Sequence, residues 1–535
     1  MKFVIDSTIA RKIQAMQERI RWQHPMLKKQ GIDQTHLVLD DNNATAKNFS
    51  FLVIGDSGTG KQGSYDPQYA IAAQMQTQRE GASFVMHTGD VVYLVGSSEY
   101  YTENFIKPYR DFLKGGDKPQ QIAYDKMVFN LPFLPVLGNH DYYNLPWIYG
   151  LISGVTKTFR KVFSLGSDWD IGWHGSFDGE AYSRAFIDCL DRFFLDWSLE
   201  KHLEKYYRKH EIHPGETKRC LHYDTNEFTR LPNRYYTFRV GSVDFFALDS
   251  NTFNHSPKSL GKPLNHEKQR QLQDKLVELQ NEQETLQASL EMMGRSPDYD
   301  SEDEQQVREK LEQIDEIQRD IHKQLNPEDN SIDLEQLQWL ETELIASWQN
   351  ETVTGRVLFF HHPPYVTEST KWYQGQTHAV RDNLQAVLDN VGVALNWNVG
   401  DRPLVDLVIN GHAHCMEHIE TWNTGHGDSF TNWIVAGGSG YSLRRQRREG
   451  NVLHAADFDA TSPAIAESKV FFGKTGKGKE KQQPYSFLRI DVDIEAATPP
   501  KFTVRPFISE RYQKSWKHYP AEPFTIQSVS PKVKA

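Results

Sequence analysis

Five short stretches of the chain end a run of apolar residues in a side chain that can bind a cation. SFLVIGDSG delivers Asp56, SFVMHTGDVVY delivers Asp90 and Tyr93, and FLPVLGNHD delivers Asn139, His140 and Asp141. VLFFHHPPY, residues 357–365, adds His361 and His362, and LVDLVINGHAH adds His412 and His414. A buried strand that stops at a polar residue presents that residue at the edge of its sheet. Strand C-termini in an α/β sheet converge on one edge, so ligands hundreds of residues apart can share a pocket. Carboxylates, a phenol, an amide and imidazoles are ligand types for hard and borderline cations, so the chemistry on offer is metal-assisted. In GHAH the two imidazoles stand two residues apart, placed on one face by an extended chain or wrapped by a loop around two adjacent ions.

The elements that must position these side chains alternate. From FSFLVIGD near residue 49 to Asp141 the pattern runs strand, helix, strand, helix, strand, with helices read over 67–80 and 98–114; this is a βαβ arrangement with a largely parallel inner sheet. Residues 1–48 read as an N-terminal helix over about 5–30 and a polar linker holding Asn42, Asn43 and Asn48. The main domain then spans 49–265, with an insertion over 142–232 at the mouth of the site, where loops on a rigid scaffold carry selectivity. Within the insertion AYSRAFIDCLDRFFLDWSLEKHLEKYYRK reads as one helix, and Tyr142, Tyr143 and Trp147 either begin a wall or pack ordinarily. Residues 233–251 alternate into a strand pair around Gly241.

Residues 266–325 change character. Leu272, Leu276, Leu279, Leu286, Leu290 and Met293 fall on a 4,3 spacing, repeated by Val307, Leu311, Ile314, Ile321 and Leu325, with Gln283 and Gln318 at the polar seam positions. This predicts an antiparallel helical hairpin that projects from the domain, either as a contact for a protein partner or a second copy, or satisfied by itself. Residues 326–535 return to the domain through the helices IDLEQLQWLETELIAS and AVRDNLQAVLDNV and closing strands, with a polar excursion over 448–483.

The motifs resemble those of the calcineurin-like metallophosphoesterase superfamily, in the pattern of purple acid phosphatases. GDxG is GDSG, GDxxY is GDVVY, GNH followed by an acid is GNHD, and GHxH is GHAH; the likeness covers most of residues 49–445. VxxH reads Leu358, Phe359, Phe360, His361, a change that leaves ligation intact. The resemblance implies a four-layer α/β/β/α sandwich into which the hairpin is inserted. It implies two metal ions, Fe(III) with Fe, Zn or Mn in the divalent state. Asp56, Tyr93 and His414 would hold the first, Asn139, His361 and His412 the second, and Asp90 both. Phenolate and carboxylates suit a trivalent ion, and two imidazoles with an amide suit a divalent one. Two cations about 3.5–4 Å apart acidify a bound water to hydroxide and clamp the attacking and leaving oxygens of an in-line displacement at phosphorus. His140 would protonate the leaving oxygen, and Asp141 would orient that ring.

The implied activity is hydrolysis of a phosphate ester, on a monoester, on a diester, or on a nucleotide pyrophosphate. Gly58 stands where Ser/Thr protein phosphatases have His, which speaks against that branch. His362 is a substrate contact if its ring turns inward and a packed neighbour of the ligands otherwise. Arg444 and Arg445, in the basic run LRRQRR, either hold an anionic substrate or belong to a solvated loop. GDSGTGKQ nearly spells a P-loop, but Gln62 lacks the hydroxyl that binds magnesium and Asp56 puts a carboxylate where amides should cradle phosphate. A scaffold on a decayed phosphoesterase fold, working through the hairpin, is the remaining alternative, and no ligand has been lost to support it.

Composition bounds the rest. With 535 residues, 38% hydrophobic content, 12 Trp and 23 Tyr, the chain can build a large core. With a net charge of −11, a general affinity for nucleic acid backbone is not expected. No apolar run approaches a membrane span, and Asp6 and Arg11 interrupt any secretory signal near the start. Three widely spaced cysteines, Cys189, Cys220 and Cys415, fit a reducing compartment, so the expectation is a cytoplasmic protein with a phosphorylated small-molecule substrate.

Overall fold

The computed structural model describes residues 4–40, 48–60, 65–145, 175–256, 266–293, 301–326, 331–397, 403–455, 462–494, 499–512 and 515–528. Lys61 of the near P-loop, Trp147 and the turn at 294–300 lie outside them. Ahead of the inserted hairpin the strands are β1 (Ile32–Leu39), β2 (Asn48–Ile54), β3 (Ala82–His87), β4 (Phe133–Pro135), β5 (Tyr207–His213), β6 (Glu216–Tyr223), β7 (Tyr236–Val240) and β8 (Val243–Ala247). After it come β9 (Gly355–Phe360), β10 (Leu407–Asn410), β11 (Met416–Thr421), β12 (Asn432–Ala436), β13 (Val452–His454), β14 (Ala464–Phe472), β15 (Gln482–Asp493), β16 (Lys501–Tyr512), β17 (Ser515–Pro520) and β18 (Phe524–Gln527). The helices are α1 (Ile9–Arg19), α2 (Pro25–Lys29), α3 (Pro67–Thr77), α4 (Glu180–Phe186), α5 (Asp196–Tyr206), α6 (His266–Met293), α7 (Ser301–Leu325), α8 (Leu334–Gln349) and α9 (Gly375–Ala394).

Two sheets face each other. The larger runs β13-β14-β11-β12-β10-β9-β8-β7-β1-β6-β5, and the smaller runs β17-β16-β15-β2-β3-β4 with β18 on β16. Period-2 alternation sorts each central strand between two cores. Val357 and Phe359 of β9 point into the layer between the sheets, whereas Leu358 and Phe360 point outward to the layer under α8 and α9. Across the inner layer Phe51 of β2 meets Phe245 of β8 at 5.6 Å and Phe84 of β3 meets Phe238 of β7 at 5.4 Å, both edge to face. Ile71 and Met75 of α3 are buried in the core next to the smaller sheet. Helix, sheet, sheet, helix is the four-layer order the motifs implied.

β2, β3 and β4 are parallel neighbours, as are β8, β9, β10 and, beyond β10, β12. All six residues of β9 are buried, the continuous apolar run expected of a parallel strand with both faces covered. Pro363 and Pro364 follow it, and proline cannot continue a ladder.

Several expectations are corrected. The N-terminal segment is two helices, α1 and α2, broken between Arg19 and Pro25 where Arg21 and Gln23 take positive φ; β1 then enters the large sheet between β7 and β6. Its buried Gln34, Thr35 and His36 hid the strand by making it read as polar. Residues 98–114 form short turns, 3₁₀ at Ser98–Tyr100 and Arg110–Phe112 and a π turn at Thr102–Ile106, with Pro108 unable to carry an α-helix through. The long helix of the insertion is broken into α4 and α5, because extended Ile187 bridges to Leu231 and buried Asp188 gathers Arg192, His202 and Tyr207. The excursion at 448–483 contains β13 and β14 at the sheet's edge.

The hairpin is present: Gln283 of α6 donates to Asp315 of α7 at 2.7 Å, and Leu276, Leu279, Ile314 and Ile321 make its seam. It does not stand clear of the domain. Glu309, Glu312, Glu316 and Asp320 of α7 point into the body of the protein, a face that charge alone suggested would be solvated.

Candidate metal centre

Ligand-type side chains from five separate segments meet at one edge of the paired sheets. The hydroxyl of Tyr93 donates to Asp56 Oδ1 at 2.9 Å and lies 3.4 Å from His414 Nε2, and His414 Nε2 is 3.7 Å from Asp56 Oδ1. Beside this trio, His361 Nε2 is 3.0 Å from Asn139 Oδ1 and 3.3 Å from Asp90 Oδ2. Donor atoms of Asp90, His361 and His412 all lie within 4.8 Å of one another. The two groups adjoin, since Asp56 Oδ2 accepts the His412 backbone N–H at 2.8 Å and the Asp90 charge weighs on both Tyr93 and His361.

The backbone is bent to make this possible. Asp56, Asp90 and His412 have φ of 53°, 54° and 65°, the left-handed region that costs a non-glycine residue and collects at functional sites. Neighbouring glycines give the carboxylates room: a Cβ on Gly138 would fall 2.1 Å from Asp90 Oδ1, and one on Gly411 would fall 2.6 Å from Asp56 Oδ2.

The charges call for cations. Burial and the neighbouring Asp90 push Asp56 up to about 8, while burial acts against Asp90 but His361 and His140 hold it well below the usual carboxylate range. Burial alone would lower His361, yet Asp90 and Asp56 raise it to about 9. Burial keeps His412 and His414 neutral, the form in which imidazole is a ligand. Two buried carboxylates facing three buried imidazoles and an amide, with a phenol between, are a donor set that fits two metal ions and balances poorly without them.

The remaining candidates take up different stations. His140 Nδ1 lies 2.6 Å from the Leu94 carbonyl, which fixes the ring and turns Nε2 toward Asp90 Oδ2, 4.0 Å away. Asp141 does not orient that ring: its carboxylate accepts N–H groups of Gly138 at 2.9 Å and Val91 at 3.2 Å, tying two ligand-bearing loops together. His362 Nδ1 is 2.8 Å from Ser250 Oγ, its ring is 4.5 Å from that of His412, and its buried Nε2 makes no hydrogen bond. Arg444 is buried against Glu312 at 3.4 Å, with its backbone N–H on the His414 carbonyl at 2.9 Å and its charge bearing on that imidazole, whereas Arg445 gives its guanidinium to the carbonyls of Lys474 and Gly476. Cys189, Cys220 and Cys415 are all buried and unpaired.

Sequence reading missed four contributors. Gln376, in the first turn of α9, sits 2.9 Å from His412 Nε2; Tyr441 stacks on Tyr93 at 4.2 Å; Lys371 pairs with Glu316; and Asp320 holds the N-terminus of α9. A cavity of about 270 Å³ opens at Asn139 and His412 and is walled by Glu316, Arg319, Asp320 and Lys323 of the hairpin and by Lys371. No motif marks these residues; Tyr441 and Gln376 touch Tyr93 and His412 directly, and α7 folding back over the site brings Glu316 and Asp320 to its wall.

The fold and its cluster thus define an α/β sandwich with a metal-type site at the sheet edge. Residues 49–252 match the calcineurin-like phosphoesterase family, which supports a metal-dependent phosphoesterase and agrees with the resemblance read from the motifs. The match takes in Asp56, Asp90, Tyr93, Asn139 and His140, while His361, His412 and His414 lie beyond it. Among solved structures the chain is similar to GAP50, the anchor in the inner membrane complex of Plasmodium, at 11% identity over 91% of this chain and 90% of that one, with a TM-score of 0.36. It is similar to the purple acid phosphatase PPD1 from yellow lupin seeds at 12% identity over 90% of this chain and 54% of that one, TM-score 0.39. PhoD is similar at 14% identity over 92% and 73%, TM-score 0.38. No curated protein matches the sequence. Among the described residues no helix is long and apolar enough to cross a membrane.

Proposed function

We propose that the chain hydrolyses phosphate esters at a dinuclear metal centre, with Asp56, Tyr93 and His414 holding one ion, Asn139, His361 and His412 the other, and Asp90 both. The observation that carries this reading is the position of Asp90, its carboxylate 3.3 Å from His361 while its charge also bears on Tyr93. The two ions would supply Lewis acidity on the phosphoryl oxygens and a nucleophile at neutral pH.

This chain's own residues do the rest. His140, anchored through Nδ1 to Leu94, presents Nε2 to give a proton to the departing alkoxide. Gln376 sets the ring of His412 from the outer side. Lys371, with Arg319 and Lys323 on the cavity wall, supplies positive charge where the ester's organic part and leaving oxygen would lie. The cavity beside the cluster has room for a phosphorylated small molecule, whether a monoester, a diester or a nucleotide pyrophosphate. The test is a panel of the three substrate classes against protein loaded with Fe, Zn or Mn, with Asp90→Asn as control. Turnover that survives Asp90→Asn, or absence of turnover on every class, would sink the reading.

A further inference from the structure

We propose a second metal site, separate from the cluster above, formed by His36 at the middle of β1, His213 at the end of β5 and Glu343 on α8, taking a borderline divalent cation of the zinc class. Their donor atoms lie within 4.8 Å of one another, although the three residues come from segments far apart in sequence. His36 Nε2 and His213 Nε2 both face the same oxygen of Glu343, Oε2, at 3.3 and 3.6 Å. Ligands about 2.0–2.1 Å from a tetrahedral zinc ion stand about 3.3–3.4 Å apart; the His36 contact keeps that spacing and the His213 contact is slightly longer.

The shell behind His36 supports the same reading. Asp33 spends Oδ1 on the Thr35 N–H at 2.8 Å, the Thr35 hydroxyl at 2.8 Å and the His36 N–H at 3.1 Å, which pins its carboxylate. Oδ2 is left facing His36 Nδ1 at 3.3 Å. A carboxylate behind a histidine whose other nitrogen meets the metal fixes tautomer and ring direction and raises ligand basicity. Two imidazoles and one carboxylate leave a fourth position for water, on the side where His213 is partly exposed. The competing cation is Lys218, whose Nζ is 3.6 Å from Asp33 Oδ2. Without a metal, burial would lower His36, but Asp33 and Glu343 raise it to about 10 and hold it protonated, so the ion must displace a proton to bind. Once bound, it would cross-link the N-terminal strand, the β5–β6 hairpin and the helix that leads into β9.

Zinc content and cobalt spectra decide the matter. Full-length protein without a histidine tag, loaded with zinc and desalted, is expected to hold one equivalent more than His36→Gln or His213→Gln. With cobalt(II) in an Asp90→Asn/His412→Gln background, the intense visible bands of a four-coordinate ion should remain and should vanish when His213→Gln is added. Asp33→Asn, which touches no metal, is expected to weaken zinc binding about 10–100-fold, the range found for such supporting carboxylates. Because His213 is at a partly exposed strand end, its variant gives the answer even if His36→Gln fails to fold. Equal zinc in wild type and His213→Gln, or cobalt bands that survive His213→Gln, would overturn the site and leave His36 as a protonated partner of two carboxylates.

Discussion

Glu316 of the inserted hairpin and Lys371 of the main body form an ion pair of 2.8 Å, almost wholly buried, on the wall of the cavity that reaches His412. Four residues further along α7, Asp320 accepts the N–H groups of Gly375 and Gln376 at 2.8 and 3.0 Å, the position at a helix N-terminus where an anion binds well. Glu312 takes Arg444 in the same row. The hairpin therefore places its own carboxylates on the cations and amides nearest the proposed ligands, and on the proposed function a substrate phosphate would share or compete for them.

Glu316→Gln tests this. Removing the carboxylate frees Lys371, and a charge-assisted hydrogen bond regained by phosphate is worth about 1.5 kcal/mol, or roughly tenfold. Inhibition by inorganic phosphate should tighten by about that factor, and KM should fall in step. Breaking a buried pair also costs about 3–5 kcal/mol of stability, so the melting temperature should drop. A variant that melts earlier with unchanged phosphate inhibition would show the pair to be structural only.

Asp90→Asn should abolish turnover and lower metal content at both positions, because its carboxylate is the one placed to serve both groups of donors. Metal analysis beside kinetics separates this from misfolding: near-normal folding with lost metal is the expected pair of results. Full metal content in the variant would remove Asp90 from its bridging role.

Tyr93→Phe reads out the identity of one ion. Burial and the neighbouring Asp56 hold the Tyr93 phenol well above its ordinary range, so it ionises only beside a strong cation. Ferric iron there gives visible phenolate-to-metal absorption. The wild type is expected to be coloured and Tyr93→Phe colourless; a colourless, iron-free and active wild type would assign the position to Zn or Mn.

The gathered side chains were legible in the sequence because each follows a strand whose apolar run is unmistakable, as at Val357–Phe360 before His361. The hairpin was legible for the same reason, through the Leu and Ile seam. What could not be read is where polar faces turn inward. Gln34, Thr35 and His36 made β1 look like linker, and Glu309, Glu312, Glu316 and Asp320 made one face of α7 look solvated, although both are buried against partners far away in sequence. Hydrophobic periodicity carries no signal for a buried charge whose partner lies on another segment. Asp141 was misjudged similarly: adjacency to His140 suggested an orienting bond, whereas the Leu94 carbonyl makes it.

Acid should destabilise the fold through His87 at the end of β3. Burial, opposed by Asp90, holds this imidazole neutral and pushes it down to about 3, with Ser57 Oγ 2.9 Å from Nε2 and the Gly89 N–H on Nδ1. Its folded pKa is below the unfolded value, so its contribution is fully present above about pH 6.5 and is lost as pH falls toward 3. At pH 5 the loss is about 2 kcal/mol relative to pH 7. Cations at Asp90 would push in the same direction. Denaturant unfolding at pH 7 and pH 5 should show a steeper loss in wild type than in His87→Gln; equal slopes would discharge His87 from the effect.

His140→Ala should separate proton donation from metal binding. The side chain is not among the ligand groups, and its link to Asp90 through the backbone N–H, 2.8 Å from Oδ1, survives the substitution. Metal content should therefore stay at the wild-type level. General-acid catalysis contributes about 10²–10⁴-fold, and it matters most when the leaving group is a poor one. An alkyl phosphate should lose that factor in kcat, while an aryl phosphate, whose phenolate leaves without a proton, should lose much less. If both substrates slow equally, His140 acts by holding the site together through Leu94 and Tyr93, whose ring centroid is 4.2 Å from its own, and the proton must come from solvent.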